Sequence, residues 1–399
     1  MLRRMSCLLA VAFPVVTSVV CAETPVAVEP DVDVVQFESP ITADAVRPHI
    51  EFLASKQLRG RRGRDAVVAG NYIAKQFRDL KLKPLFAEDS YFQVIPGTVR
   101  EDGSKPIVGR NIGAWLEGGD AELRKEFVIV SAHYDHLGVR NGAMYRGADD
   151  NASGVSMMLE VARQFSAMKK RPGRSVVFVG FDLEEHMLWG SRWFAAHPPW
   201  KMEQVKLFVT ADMIGRSLGN LALDSVFVLG SEHAPALKGV LTKVGQPKGL
   251  TVARMGIDLI GTRSDYGPFR DRKVPFLFFS TGEHPDYHTP NDLPESIDYE
   301  KVAQVSGLVL KVTSTVANEQ TPPEWTDEVE PGLDEVRALN AIATKLLEAK
   351  GANKLNSVQE FMVSQTRAKT NQISKRGKVT AGERQWLIRA SQLMLLSIF

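Results

Sequence analysis

Cysteine is nearly absent from this chain of 399 residues, since the two cysteines, Cys7 and Cys21, both lie close to the N-terminus. They fall within residues 1–22, which are typical of a secretory signal, because Arg3 and Arg4 precede an apolar run that ends in small residues. We therefore expect an exported protein, periplasmic or secreted, whose processed chain has neither a thiol nor a disulfide. Any metal site in it must use oxygen and imidazole ligands.

Long apolar runs and an excess of one charge are also missing. The N-terminal apolar run is shorter than the roughly 20 residues that a membrane-spanning helix needs, and no later stretch reaches that length. We expect no membrane association after signal cleavage, with an uncleaved anchor or a lipid on Cys21 as alternatives. Without Arg3 and Arg4 the chain carries 47 basic and 47 acidic residues, so its charge gives no reason to expect nucleic acid as a partner.

The hydrophobic pattern predicts an α/β protein. Short runs rich in β-branched residues are typical of strands buried on both faces, and they alternate with stretches whose apolar residues recur every three or four positions. This alternation favours a mostly parallel central sheet flanked by helices. The predicted strands are 126–133, 175–181, 205–211 and 274–280, and the predicted helices are 43–58, 65–82, 152–168 and 299–317.

Composition divides the chain into five segments. After the signal we expect a lead-in, a main α/β domain, a linker with proline, acids and no apolar period, and a helical C-terminal segment. The segments are the signal peptide 1–22, the lead-in 23–40, the main domain 41–318, the linker 319–332 and the C-terminal helices 333–399.

The C-terminal segment ends in an amphipathic stretch whose candidate buried positions are Trp386, Ile388, Leu393 and Leu396. Such a stripe most often packs on the main domain, as a helical appendage. A contact between two copies, or a lid over a functional site, is the alternative. The oligomeric state therefore stays open.

Acidic and imidazole side chains follow each predicted strand. Because catalytic groups in open α/β sheets lie just past the carboxyl ends of strands, we expect these side chains to meet. One such residue alone is more often structural than a ligand, and we assign structural roles to His136, His186 and His284. The residues at the strand ends are His133, Asp135, Glu184, Glu185, Asp212 and His288.

The stretch RGADDNASG at 146–154 places two carboxylates and an amide side by side before small residues. One interpretation is a solvated turn before a helix. The other is a metal site in which one of the two aspartates points inward. Two zinc ions about 3.5–4 Å apart need a bridging carboxylate together with terminal ligands, and the strand ends carry residues of the terminal type.

Together these motifs resemble the co-catalytic dizinc aminopeptidase family, which is related to glutamate carboxypeptidase, the transferrin receptor ectodomain and the glutaminyl cyclases. The resemblance extends over about residues 45–318 and implies a zinc exopeptidase-like fold for the main domain. The motifs that carry it are SAHYDHLG, GADDNASG, EEHMLWGS, ADMIG, GTRSDYGPF and YHTPND.

The resemblance also implies a role for each site residue. Asp150 would bridge two zinc ions through a loop that Asp149 and Asn151 support, with a cis peptide bond between Asp150 and Asn151. The other implied roles are His133 and Asp212 as ligands of one zinc ion, Glu185 and His288 as ligands of the other, Glu184 as general base, Asp135 as the partner that orients His133, and Arg263, Asp265 and Tyr287 as residues near the substrate.

The implied activity is that of an aminopeptidase, which removes N-terminal residues from peptides through a hydroxide bridging the two zinc ions. A carboxypeptidase or dipeptidase of the same family is an alternative, as is an acyl transferase similar to glutaminyl cyclase. The short spacing from Glu185 to Gly190 and Ser191 favours the peptidases. A catalytically inactive binding protein would lack metal ligands, whereas all five are present here.

Overall fold

The computed structural model describes residues 34–100, 103–349 and 354–398. The predicted signal peptide, residues 1–22, lies outside these ranges, so export stays a prediction. Within them, no helix combines the length and the apolar character that crossing a membrane requires.

Among the described residues, a central sheet of nine strands organises the fold. The strands predicted from β-branched runs are present, with ends within two residues of the predicted ones. The strands are β1 Gln36–Phe37, β2 Lys83–Pro84, β3 Phe92–Pro96, β4 Ile107–Leu116, β5 Phe127–His133, β6 Gly138–Arg140, β7 Ala143–Tyr145, β8 Ser175–Phe181, β9 Val205–Ala211, β10 Ser225–Leu229, β11 Gln246–Pro247, β12 Thr251–Met255 and β13 Phe276–Ser280.

The order in the central sheet is β12-β10-β13-β9-β5-β8-β4-β2, and β3 pairs with β4. The centre is parallel, because β5 pairs in parallel with β8 and β9, and β13 pairs in parallel with β9. Antiparallel pairs join β4 to β8 and β10 to β13 on either side of this centre. The predicted α/β fold with a mostly parallel central sheet flanked by helices is confirmed.

Helices cover both faces of the sheet. The predicted helices are present, although the first ends at Leu53 rather than 58, because the chain turns there and reaches the left-handed Arg59. The helices are α1 Ala43–Leu53, α2 Arg64–Asp79, α3 Gly154–Ser166, α4 Trp189–Ala196, α5 Pro235–Val244, α6 Gly267–Arg270, α7 Tyr299–Asn318, α8 Leu333–Glu348, α9 Ser357–Arg376 and α10 Ala381–Ile398.

Each face of the sheet packs its own hydrophobic cluster. In β5, Val128 and Val130 belong to the cluster that α1, α2, α3 and α7 cover, whereas Ile129 belongs to the opposite one. This division follows from the strand geometry, since successive side chains point to opposite faces. The C-terminal helices α8, α9 and α10 contribute buried residues to the second cluster, on the same face as Ile129.

The packing of α10 differs from the predicted stripe at two positions. Leu393 is 50% exposed and Leu396 is 82% exposed, so their predicted burial is wrong, whereas Ile388 is buried and Trp386 is half-buried. The buried positions of α10 lie along the opposite side of the helix, at intervals of three and four residues. These positions are Arg384, Leu387, Ile388, Ala390, Ser391 and Met394.

Candidate metal centre

The carboxyl ends of three neighbouring parallel strands carry the first part of the site. His133 ends β5, Glu184 and Glu185 follow β8, and Asp212 directly follows β9. The strands lie in register, with His133 of β5 opposite Phe181 at the end of β8. Because the ends of parallel strands meet at one edge of the sheet, residues about 80 positions apart come into contact.

Asp150 lies at the middle of the cluster. One carboxylate oxygen, Oδ1, is 3.3 Å from His133 Nε2, which is also 3.3 Å from Asp212 Oδ1. The other oxygen, Oδ2, is 3.1 Å from His288 Nε2, which is 3.2 Å from Glu185 Oε2. The structure therefore brings the five predicted ligands together, with Asp150 between the two pairs.

The loop Ala148–Ser153 turns Asp150 inward, and its peptide bond between Asp150 and Asn151 is cis, as the resemblance implied. Its neighbours hold the loop. Asp149 Oδ1 accepts a hydrogen bond from the Gly215 amide at 2.7 Å, and the Asn151 side chain donates to the Ala211 carbonyl at 2.9 Å. Asp149 and Asn151 thus tie the loop to the end of β9, in agreement with their predicted supporting role.

Two residues that the sequence did not single out also hold this loop. The buried Asp292 carboxylate accepts hydrogen bonds from the backbone amides of Asp149 and Asp150 at 2.9–3.1 Å. The fully buried Arg61 guanidinium donates to five carbonyls. The carbonyls are those of Leu53, Tyr134, Arg146, Gly147 and Asp150. Burial lowers the pKa of Arg61 to about 10, so its charge persists at neutral pH.

Asp135 supports the loop that carries the two glutamates. Its carboxylate accepts hydrogen bonds from the backbone amides of Glu184 at 3.0 Å and Glu185 at 3.4 Å. The distance from Asp135 Oδ1 to His133 Nδ1 is 3.6 Å, which is longer than a hydrogen bond. The structure places Asp135 beside His133, as predicted, and adds a second contact that positions both glutamates.

Two of the three histidines assigned structural roles lie at the site. His136 Nδ1 is 2.8 Å from Glu185 Oε1 and 3.6 Å from Asp150 Oδ2, and His284 Nε2 is 3.4 Å from Asp149 Oδ2. His136, Asp150 and Glu185 form a group that could hold a metal ion, beside the group of His133, Asp150 and Asp212. In the sequence, His136 and His288 both follow predicted strands. The sequence pattern alone therefore does not tell which of the two is a metal ligand.

Several acidic side chains are buried together at this site, and their pKa values are shifted as a result. Burial raises the pKa of the Glu184 carboxyl well above its usual range, although the nearby His133 opposes this, and Asp265 and Asp212 raise it further. Burial also raises the pKa of Asp265 to about 7. For Asp150 burial acts in the same direction, but the imidazoles of His136, His133 and His288 hold its pKa well below the usual range.

Buried polar atoms at this site lack hydrogen-bond partners among the described residues. They include His133 Nδ1, His136 Nε2 and both carboxylate oxygens of Asp265. Buried polar groups without partners, and carboxylates that face each other, raise the free energy of the folded protein. Bound divalent cations would offset both effects. Carboxylate oxygens and imidazole nitrogens without sulfur match the donors that zinc accepts in catalytic sites. The residues present therefore fit a zinc centre.

A cavity opens from this centre. Asp150, Glu184, Asp212 and His288 line its inner end. The space within the cavity and its open mouth has a volume of about 1030 Å³. A small molecule or the end of a peptide can therefore reach the metal-binding side chains.

The three residues predicted near the substrate lie in different positions. Arg263 and Tyr287 line the cavity, where the Arg263 guanidinium pairs with Glu283 at 2.8 Å and the Tyr287 ring stacks on His288 at a centroid distance of 3.9 Å. Asp265 is fully buried and is absent from the lining among the described residues. Its position suits a support of the metal-binding side chains better than a direct substrate contact.

Comparison with known proteins agrees with this geometry. The model of peptidase family M28 matches residues 111–313, which include every predicted ligand and the loop around Asp150. The chain belongs to peptidase family M28. The predicted family is confirmed.

The relatives and structural neighbours of this M28 member carry peptidase and cyclase names. Aminopeptidase YwaD of Bacillus subtilis is 28% identical over 212 residues, which are 50% of this chain and 43% of that protein. The chain spans less than half the length of the curated relatives it matches.

Solved structures show the same fold at low identity. BSAP, a zinc aminopeptidase from Bacillus subtilis, has a TM-score of 0.55 at 18% identity and covers 74% of this chain and 100% of its own. The glutaminyl cyclase of Porphyromonas gingivalis has a TM-score of 0.54 at 19% identity and covers 69% of this chain and 98% of its own. This fold is therefore shared with a zinc aminopeptidase and with a glutaminyl cyclase, so the fold alone does not tell which reaction the chain catalyses.

Proposed function

We propose that this M28 member is a dizinc aminopeptidase, which hydrolyses the first peptide bond of peptides. The observation that carries the proposal is the position of Asp150. Its two carboxylate oxygens face two separate ligand pairs, His133 with Asp212 and His288 with Glu185, at 3.1–3.3 Å from the imidazoles. A carboxylate shared between two ligand pairs is the arrangement that a two-metal site requires.

Zinc ions bound by these residues would activate the attacking water and polarise the scissile carbonyl. Glu184 lines the cavity beside the ligands, where its carboxylate can accept a proton from that water and pass it to the leaving amine. Asp135 keeps Glu184 in place through the backbone amide. Tyr287, which lies on the cavity wall next to His288, would donate a hydrogen bond to the carbonyl oxygen.

The names of the relatives support an aminopeptidase over a carboxypeptidase. Aminopeptidase YwaD matches 50% of this chain, and the solved structures of similar fold include zinc aminopeptidases. The charge of the site does not separate the two reactions, because two zinc ions would balance the carboxylates of Asp150, Glu185 and Asp212.

A single substitution tests the assignment of the base. We expect Glu184→Gln to lower kcat on leucyl-anilide at least about 100-fold, because the general base is lost, while two zinc ions per chain remain bound. The measurement pairs steady-state kinetics with metal analysis of the same preparation.

The neighbouring Glu185→Gln is the matched control, because the same change at a predicted ligand should lower the zinc content instead. Activity of Glu184→Gln close to that of the unchanged protein contradicts the role of Glu184.

Substrate choice separates the related reactions. We expect cleavage of leucyl-anilide, no cleavage once its amine is acetylated, and no release of cyclised product from glutaminyl substrates. Cleavage of the acetylated substrate would show that a free amine is not required, which favours an endopeptidase reaction. A carboxypeptidase would instead cleave only substrates that end in a free carboxylate, which an anilide lacks. Cyclisation in the absence of hydrolysis would assign the chain to the acyl transferases.

We also propose that the chain is exported, on the strength of the signal-like residues 1–22. Determining the N-terminus of the protein isolated from its natural source tests this, since a chain that still begins at Met1 contradicts signal cleavage.

A further inference from the structure

The cavity that opens from the metal centre leads to the C-terminal helices. Its inner end is formed by the carboxylates and imidazoles of the centre, and its far end by α8 and α10. Residues 111–313 carry the match to family M28, so α8 and α10 lie outside the matched region. This part of the cavity is therefore built by residues that lie beyond the matched region.

Apolar side chains dominate the far end of the cavity. The sheet side contributes Phe227, Met255 and Phe278, and the C-terminal helices contribute Leu339, Ile342 and Met394. Leu339 and Ile342 are neighbours on one side of α8, since they are three residues apart. The lining also includes the side chains of Arg263 and Glu283, which pair with each other.

Buried side-chain contacts hold the C-terminal helices against this cavity. The buried Arg384 guanidinium of α10 donates to both carboxylate oxygens of Glu335 in α8 at 3.0 Å and to Asp258 at 3.1 Å. Asp258 directly precedes Leu259, which also lines the cavity. A Cβ atom at Gly256 would lie 2.2 Å from Glu335 Oε1, so the absence of a side chain there permits this close contact.

We propose that α8 and α10 form the wall that limits the size of the first side chain of the substrate, so that Leu339, Ile342 and Met394 determine specificity. The proposal rests on the aminopeptidase function, which places the α-amine at the metal centre and the first side chain in the adjoining cavity. Large apolar first residues gain from burial against this wall. Charged first residues lose their hydration without finding a partner among these side chains.

Substitutions that enlarge or shorten side chains of this wall test the proposal. The measured quantity is the ratio of kcat/KM for phenylalanyl-anilide to kcat/KM for alanyl-anilide. We expect Met394→Trp to lower this ratio at least about tenfold, because the indole occupies the space of the substrate side chain. We expect Leu339→Ala to raise it about threefold or more, because the cavity becomes larger.

Leu387→Ala is the matched control. Leu387 lies on α10, is as buried as Leu339 and loses the same atoms, but it is absent from the cavity lining among the described residues. It should be destabilised like Leu339→Ala and keep the ratio of the unchanged protein. Thermal unfolding curves establish that each variant compared is folded. If Met394→Trp does not fold, the kcat/KM ratios of Leu339→Ala and Leu387→Ala test the proposal without it.

Two results overturn the inference while leaving the proposed function intact. One is an unchanged ratio in the folded cavity variants, and the other is an equal change of the ratio in Leu339→Ala and Leu387→Ala, which indicates a structural role only. If the unchanged, zinc-loaded protein cleaves no aminoacyl-anilide at all, the proposed function fails and the inference fails with it.

Discussion

Arg61 connects the beginning of the main domain to the metal-binding loop. Its guanidinium reaches carbonyls that come from three separate parts of the chain, including those of Leu53, Tyr134 and Asp150. A guanidinium has five N–H donors in a rigid fork, so one arginine can satisfy all of these acceptors, whereas a lysine cannot. Arg61 therefore determines the position of Asp150 without being a ligand.

Replacing Arg61 should damage both the fold and the metal site. We expect Arg61→Met to lower the free energy of unfolding by about 3 kcal/mol or more, because each buried carbonyl left without a donor costs about 1–3 kcal/mol. Urea unfolding of the metal-free protein measures this loss. The exposed Arg64→Met is the control and should change stability by less than about 0.5 kcal/mol. Equal stability of the two variants would show that the Arg61 contacts contribute nothing.

At the scale of elements, the ends of β5, β8 and β9 present ligands and the C-terminal helices close the cavity. Strand ends are rigid positions, since each strand is hydrogen-bonded on both sides in the centre of the sheet. The C-terminal helices depend on side-chain contacts instead, above all on the buried pair of Arg384 and Glu335. The two parts of the site therefore respond differently to substitution.

Breaking the buried pair should loosen the C-terminal helices. We expect Arg384→Met to cost about 3–5 kcal/mol, because Glu335 is left buried without its cationic partner. Guanidinium unfolding followed by circular dichroism measures this change. The exposed Arg389→Met on the same helix should be nearly neutral. The double variant Arg384→Met with Glu335→Met should recover part of the stability, and no recovery would show that the ion pair is not the cause.

For the whole molecule, metal binding and folding are coupled. The ligands come from segments between residues 133 and 288, so they form a site only when the sheet and the loop around Asp150 are assembled. Ions that bind the folded chain and not the unfolded one stabilise it by mass action. The metal-free protein also keeps several carboxylates buried close together, which opposes folding.

Zinc should therefore raise the melting temperature of the whole domain. At a free zinc concentration 100 times the dissociation constant, each site should contribute about 2.7 kcal/mol. Differential scanning calorimetry of the chelated and reloaded protein measures the shift. Asp150→Asn weakens both sites at once, so it should remove most of the shift. If the metal-free and the zinc-loaded protein melt at the same temperature, the folded chain has no zinc site of this kind.

Local pattern in the sequence was sufficient for much of this structure. The β-branched runs predicted the central strands, because buried parallel strands need apolar side chains on both faces. The residues that follow those runs predicted where the ligands meet, because the carboxyl ends of parallel strands share one edge of the sheet. The order of the motifs then indicated the family through resemblance, and with it the central position of Asp150.

Only the tertiary structure decided which distant segments support that site. Arg61 and Asp292 hold the loop through backbone contacts, which leave no periodic or compositional signal in the sequence. The side of α10 that packs inward was decided by the buried Arg384 and its partners, which leaves Leu396 in solvent although it is apolar. Local propensity depends on neighbouring residues, whereas the choice of packing partner depends on the free energy of the whole assembled core.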